Sequence, residues 1–94
     1  MNKIVWIFND GGKRLEFTTF PFAFRSMYFA FKRGVEGKYQ NKQDVPKRSP
    51  LEMVKNFSII GPTGKVYSYS HANQMATDQG LLTPDGLNSR EFKH

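Results

Sequence analysis

The chain has 94 residues, a length that forms one small domain around a single hydrophobic core. Lys and Arg number 14 and Asp and Glu number 8, so the net charge is +6 at pH 7, and this surplus favours polyanionic partners. Cysteine is absent, which excludes disulfides, thiolate metal sites and cysteine nucleophiles, and no apolar run approaches the roughly 20 residues of a membrane helix.

The first predicted element is a β-hairpin. Residues Lys3 to Phe8 are rich in Ile, Val, Trp and Phe, which is typical of a strand. The next residues, Asn9-Asp10-Gly11-Gly12, supply the positive φ angles that a tight hairpin turn needs. Lys13 to Thr18 then alternates, with Leu15 and Phe17 on one face of the second strand.

The second predicted element is a helix from Phe20 to Arg33, with Pro21 in its first turn and Gly34 or Gly37 at its end. The face that we expect to be buried is apolar: Phe20, Ala23, Phe24, Met27, Tyr28, Ala30 and Phe31. The opposite face is aromatic and basic: Phe22, Arg25, Phe29, Lys32 and Arg33. Because soluble monomers usually hide apolar area, phenylalanines on a basic face indicate a binding surface.

The next segment, residues 37–50, is polar and is predicted to be a loop or linker. Residues 32–48 contain 6 basic and 2 acidic side chains, the densest positive stretch of the chain. Residues 1–55 hold 11 basic and 5 acidic side chains, whereas residues 56–94 hold 3 of each. A function that depends on the charge therefore belongs to the first 55 residues.

The second half begins with a predicted helical turn over residues 51–55. Two runs of β-branched and aromatic residues then flank Gly61-Pro62-Thr63-Gly64. They predict a strand over 57–60, a turn over 61–64 and a partner strand over 65–69. This segment is therefore a second predicted hairpin.

A short helix over residues 71–79 comes next, with Ser70 as its N-cap and Gly80 at its end. We expect this helix to bury Ala72, Met75 and Ala76, and we expect Leu81 and Leu82 to fold back onto its last turn. A turn over residues 83–86 and one helical turn within residues 87–92 complete the predicted elements.

Both halves thus have the order strand, glycine turn, strand, helix, and Gly12-Lys13 falls on Gly64-Lys65 at an offset of 52 positions. Two such units predict an α+β fold, in which a small antiparallel sheet of two β-hairpins carries two packed helices in the order ββα-ββα. The alternative is two hairpins that do not share a sheet. The single domain, residues 1–94, is divided into a first unit at 1–36, a basic loop at 37–50 and a second unit at 51–94.

Candidate catalytic and metal-binding groups are sparse. His71 and His94 are the only histidines, and no acidic residue is spaced to orient His71 as a general base. The acidic residues show no spacing typical of metal ligands. We therefore predict a protein without catalytic residues, metal or cofactor.

The C-terminal third carries a family resemblance. Phe57-Ser58-Ile59-Ile60-Gly61-Pro62-Thr63-Gly64-Lys65-Val66-Tyr67, followed by Asn73, Ala76 and Gly80-Leu81, resembles the small modular DNA-binding repeats attached to phage homing endonucleases. The resemblance implies that the short helix and the turn before it lie on DNA. The contacts that it points to are Lys65, His71, Asn73 and Gln74. The compact chain also resembles a small phage accessory protein.

The function that charge and aromatic content favour is non-enzymatic nucleic-acid binding, because aromatic faces and a cationic groove hold single strands. The predicted contacts are Arg25, Phe29, Lys32, Arg33, Lys38, Lys42, Lys47 and Arg48, with Phe22, Lys65, His71, Asn73 and Gln74 as secondary candidates. The alternative is a protein-interaction module, an inhibitor or an assembly component, that uses the aromatic helix face. We expect DNA, RNA or an acidic protein as partner, or a second copy of the chain, with no membrane partner and a cytoplasmic location.

Overall fold

The computed structural model of the protein describes residues 4–39 and 43–92. Its elements in chain order are β1 (Trp6–Asp10), β2 (Lys13–Phe17), α1 (Phe20–Glu36), β3 (Lys38–Tyr39), β4 (Gln43–Asp44), α2 (Pro50–Asn56), β5 (Phe57–Ile60), β6 (Val66–Ser68), α3 (Tyr69–Asp78), β7 (Leu82–Thr83), β8 (Gly86–Leu87) and a 3₁₀ turn at Ser89–Phe92. None of the helices in these two ranges has both the length and the apolarity needed to cross a bilayer.

One antiparallel sheet of four strands joins the two halves of the chain, in the order β2-β1-β5-β6. The two hairpins meet through β1 and β5, where Phe8 lies opposite Ile59. The predicted α+β fold is therefore confirmed, and the alternative of two hairpins in separate sheets is wrong.

The two faces of this sheet differ in burial. Phe8, Phe57 and Ile59 point to the helix side and are at most 2% exposed. Side chains on the other face are half-buried or exposed, among them Ile7 and Ile60, which lie opposite each other. The helices thus cover one face of the sheet, and the second face is open.

The first hairpin turns through Gly11 and Gly12, whose φ angles are +58° and +104°. Both angles are positive, as a two-residue turn between twisted strands requires. Asp10 lies directly opposite Lys13, so the first strand runs to Asp10 rather than ending at the predicted Phe8.

The first helix buries the predicted apolar face. Phe20, Phe24 and Met27 are among its buried residues, and Tyr28 and Phe31 are half-buried at its margin. The helix runs three residues beyond the predicted end and stops at Gly37, whose φ is +68° and whose N–H donates to the Arg33 carbonyl at 2.9 Å. A Cβ at that position would lie 2.7 Å from Cγ of Lys47, so this close approach requires glycine.

The segment predicted as a loop at 37–50 contains a short strand pair, because β3 and β4 pair with Lys38 opposite Asp44. After β4 the chain returns along the end of α1, where the Arg48 N–H donates to the Gly34 carbonyl at 2.9 Å. Of the two predicted alternatives, a loop or a linker, these backbone hydrogen bonds favour a loop that packs on the end of α1.

The second half follows the predicted order, but β6 ends at Ser68, the cap of α3 differs, and a short strand pair, β7 with β8, flanks the predicted turn at 83–86. The Ser68 hydroxyl accepts a hydrogen bond from the His71 N–H at 3.2 Å, so Ser68 caps α3 in place of the predicted Ser70. Leu81 folds back onto the last turn, and its N–H donates to the Ala76 carbonyl at 2.8 Å. Leu81 is 2% exposed. Ala72 and Ala76 are buried as predicted, whereas Met75, also predicted to be buried, is half-buried.

Candidate nucleic-acid interface

The outer face of α1 gathers aromatic and cationic groups, as its periodicity predicts. Arg25 is exposed, and its guanidinium carbon lies 5.8 Å from the ring centroid of Phe29 and 5.5 Å from that of Phe92. Both distances fall within the range of cation–π attraction. Two rings, one from the helix and one from the C-terminal 3₁₀ turn, therefore flank one exposed cation.

The two phenylalanines that we predict on this face differ in exposure. Phe29 is exposed, with 44% of the residue accessible to solvent. Its ring packs edge-to-face on Tyr28, with the ring centroids 5.4 Å apart. Phe22 is half-buried, because its ring lies 5.9 Å from that of Phe92. Phe29 thus presents a ring to solvent, whereas Phe22 mainly supports the edge of the cluster.

Further predicted cations lie around the end of α1. Lys32 is exposed, and no carboxylate of the described residues lies within ion-pair distance of it. Arg33 is half-buried in the same turn. Lys47 lies close to the end of α1, because its aliphatic stem packs over Gly37. Lys42 lies outside the described residues.

Arg48, also predicted as a contact, has an intramolecular partner. Its Nη1 donates to Oδ2 of Asp10 at 2.9 Å and its Nη2 donates to Oδ1 at 3.0 Å. The guanidinium also lies 5.3 Å from the ring centroid of Phe57. The hydrogen bonds from Arg48 hold the pKa of the Asp10 carboxyl below its ordinary value, which outweighs the opposite effect of partial burial. This geometry gives Arg48 a structural role between the first hairpin and the start of β5.

Lys38 is paired in a similar way. Its ammonium contacts the carboxylate of Asp44 across the short β3–β4 pair, and both side chains are largely exposed. An exposed pair of this kind is worth little in stability, so a phosphate can compete for the lysine. We therefore keep Lys38 as a peripheral candidate and take Arg48 out of the interface.

A second cluster of aromatic and basic side chains surrounds Tyr67 on β6. The Tyr67 ring stacks on Trp6 at 6.2 Å, and Lys65 lies 5.2 Å from the Tyr67 ring centroid. His71 packs edge-to-face on the same tyrosine at 5.2 Å. Of the residues that the family resemblance points to, Lys65 and His71 therefore meet on one ring.

The two remaining secondary candidates bond within α3. Asn73 donates from Nδ2 to the Tyr69 carbonyl at 2.7 Å, and Gln74 donates from Nε2 to Oδ1 of Asp78 at 2.9 Å. Asn73 is half-buried by this contact, whereas Gln74 stays exposed. The side-chain nitrogens of both amides are thus already hydrogen-bonded within the helix.

Both clusters contain residues that no sequence pattern places there. Phe92 belongs to a predicted helical turn, and nothing in its local pattern indicates that it lies beside α1. Trp6 lies on β1 and Tyr67 on β6, two strands with β5 between them, and their rings meet across that strand. These contacts are tertiary, so periodicity within one element could not have predicted them.

Acidic and histidine side chains do not converge: within residues 4–39 and 43–92, no three of the metal-ligating types lie close enough to hold an ion. No protein-family description, curated protein sequence or solved structure matches the chain.

Proposed function

We propose that this protein binds single-stranded nucleic acid through the outer face of α1. The observation that carries the proposal is the exposed ring of Phe29 beside the exposed guanidinium of Arg25. Aromatic faces stack on bases, and neighbouring cations neutralise phosphates, which together hold a single strand with little sequence preference.

The roles divide along the helix. Phe29 offers the stacking surface, and such stacking contributes about 1–3 kcal/mol per base. Arg25, held between two rings, keeps its charge in place for a phosphate near that base. Lys32 lies about one helical turn after Phe29, and Lys47 lies over Gly37. These two lysines extend the positive surface toward the end of α1.

The resemblance to DNA-binding repeats supports the same class of partner. Lys65 and His71 lie on the ring of Tyr67 and would contact a nucleic acid at a second place. This contact is secondary because residues 56–94 carry no net charge.

Fluorescence anisotropy with labelled single strands of about 15 nucleotides, DNA and RNA, at several salt concentrations tests the proposal. We expect Lys32→Ala to reduce the slope of log K against log salt by about 0.7, the value for one phosphate contact on a single strand. Lys55→Ala on α2 removes the same charge from an exposed site off this face and is the matched control. It should leave the slope nearly unchanged.

Replacement of the ring tests the stacking contact separately. Phe29→Ser should lower affinity roughly tenfold or more, whereas Phe29→Tyr should retain it, because a tyrosine ring also stacks. Binding that does not respond to salt, or equal losses for Lys32→Ala and Lys55→Ala, would refute the proposal.

A second candidate function is favoured by the same exposed ring. The rings of Phe29 and Phe92 both lie beside Arg25, and Phe22 packs on Phe92. This surface also suits a protein partner that supplies apolar and acidic side chains. This role predicts that the oligonucleotides do not bind and that Phe29→Ser loses a protein captured by the wild-type chain in a pull-down.

A further inference from the structure

Strand β2 is an edge strand with unusually exposed side chains. It is the outermost strand of the four, and no other strand of the described residues pairs with its outer edge. Four consecutive residues of this five-residue strand, Lys13 to Glu16, are exposed, and Leu15 is 43% accessible. The edge of such a strand presents backbone N–H and C=O groups that can pair with another strand.

The register of the hairpin fixes which backbone groups face outward. Asp10 and Lys13 flank a two-residue turn, and such residues exchange both of their backbone hydrogen bonds. The alternation along β2 then directs the N–H and C=O groups of Arg14 and Glu16 away from β1. These two residues supply the free edge.

Only pairings between outward-facing residues can form hydrogen bonds across two such edges. In an antiparallel pair of two copies, Arg14 can lie opposite Arg14, Glu16 opposite Glu16, or Arg14 opposite Glu16. The first two place like charges directly across from each other, which destabilises a strand pair. The third places opposite charges across from each other, twice, because the pairing is two-fold symmetric.

We propose that a second copy of this chain pairs with β2, Arg14 of each copy opposite the partner copy's Glu16. Leu15 of each copy then faces Leu15 of the other at the two-fold axis, in the closely spaced type of antiparallel pair. The two sheets become one antiparallel sheet of eight strands, with all helices on the same side. Within the described residues, neither Arg14 nor Glu16 has an ion pair inside its own chain, so both are available.

The other edge of the sheet is a poorer candidate. Strand β6 has three residues and runs directly into α3, so it offers a shorter row of backbone groups. The pairing uses the backbone of β2 and the side chains of Arg14 and Glu16, none of which is proposed to contact nucleic acid. Separate variants therefore test dimerisation and nucleic-acid binding.

Charge reversal combined with a measurement of mass tests the pairing. The molar mass of the full chain is measured by light scattering during gel filtration across a range of concentrations. We expect a dimer that Arg14→Glu or Glu16→Arg weakens about tenfold, because each change puts two like-charged pairs across the edge. The double variant R14E/E16R restores opposite charges in both pairs and should restore the dimer.

The rescue distinguishes loss of pairing from loss of folding, and far-UV circular dichroism of each variant checks the fold directly. Phe29→Ser should leave the dimer intact. A wild-type chain that stays monomeric up to about 0.5 mM would overturn the proposal, since mass action favours the dimer there. So would single reversals without effect, a double variant that remains monomeric, or growth beyond the dimer, which indicates pairing of unlike edges.

Discussion

The ion pair between Arg48 and Asp10 should contribute to stability and not to binding. It joins the end of β1 to the segment before α2, which are 38 positions apart in the chain. Replacing Arg48 with Ala removes two charge-assisted hydrogen bonds and the contact with the Phe57 ring.

The size of the effect follows from geometry and exposure. Both hydrogen bonds are near 3 Å and bidentate, which is the strong arrangement. The Arg48 side chain is 41% exposed and that of Asp10 is 20% exposed, so solvent screens part of the attraction. We expect a coupling of about 1 kcal/mol between the two side chains, at the upper end for surface pairs, and a total loss of about 2 kcal/mol for Arg48→Ala because the ring contact is also lost.

Urea unfolding of four proteins measures the coupling: the wild type, Arg48→Ala, Asp10→Asn and the double variant. Because the pKa of Asp10 is lowered in the folded chain, its contribution is fully present above the ordinary carboxyl pKa. It is lost as the pH falls through the lowered value. The coupling should therefore be fully present at about pH 7 and should decrease as the pH is lowered below the ordinary carboxyl pKa.

Two outcomes would refute this reasoning. A coupling near zero at neutral pH would mean that the bidentate pair is no better than an average surface pair, and a coupling that persists in acid would mean that charge does not cause it. Arg48→Ala should also weaken nucleic-acid binding no more than Lys55→Ala does. A larger loss would return Arg48 to the interface.

Two further predictions concern local conformation. Ser68→Ala should cost about 1 kcal/mol in urea unfolding because it removes the cap of α3, whereas Ser70→Ala should cost much less; equal effects would contradict the assignment of the cap. Gly37→Ala should cost more than Gly64→Ala, because both need a positive φ but only Gly37 has the stem of Lys47 where the methyl group would go. Thermal melts of the two variants compare these costs directly, and a smaller loss at Gly37 would contradict the close packing.

Local patterns in the sequence predict the elements well. The alternation of Leu15 and Phe17 fixes the faces of β2, and the spacing of Phe20, Phe24 and Met27 fixes the buried face of α1. These predictions succeed because a helix or a strand has its own period. Burial follows that period in α1, whereas Leu15 stays 43% exposed although it lies opposite the buried Phe8.

Contacts between distant segments are not predictable in this way. The charge run that ends at Arg48 suggests a mobile basic loop. In the structure, however, Arg48 forms an ion pair with Asp10, which is far from it in sequence. Phe92 lies against Arg25 for the same reason: the partner is chosen by the tertiary fold. The candidate site was thus predicted on α1 and in the basic segment that follows it. The ring of Phe92 beside Arg25 and the pairing of Arg48 with Asp10 are visible only in three dimensions.

The central pairing of β1 with β5 has a consequence for how the chain reaches this fold. Within the hairpins, paired residues are at most 11 positions apart, as for Trp6 and Phe17, whereas Asp10 and Phe57 are 47 positions apart. Closing the longer loop costs more chain entropy than forming either hairpin. The hairpins can therefore assemble early and locally, and the docking of one half on the other sets the pace of folding.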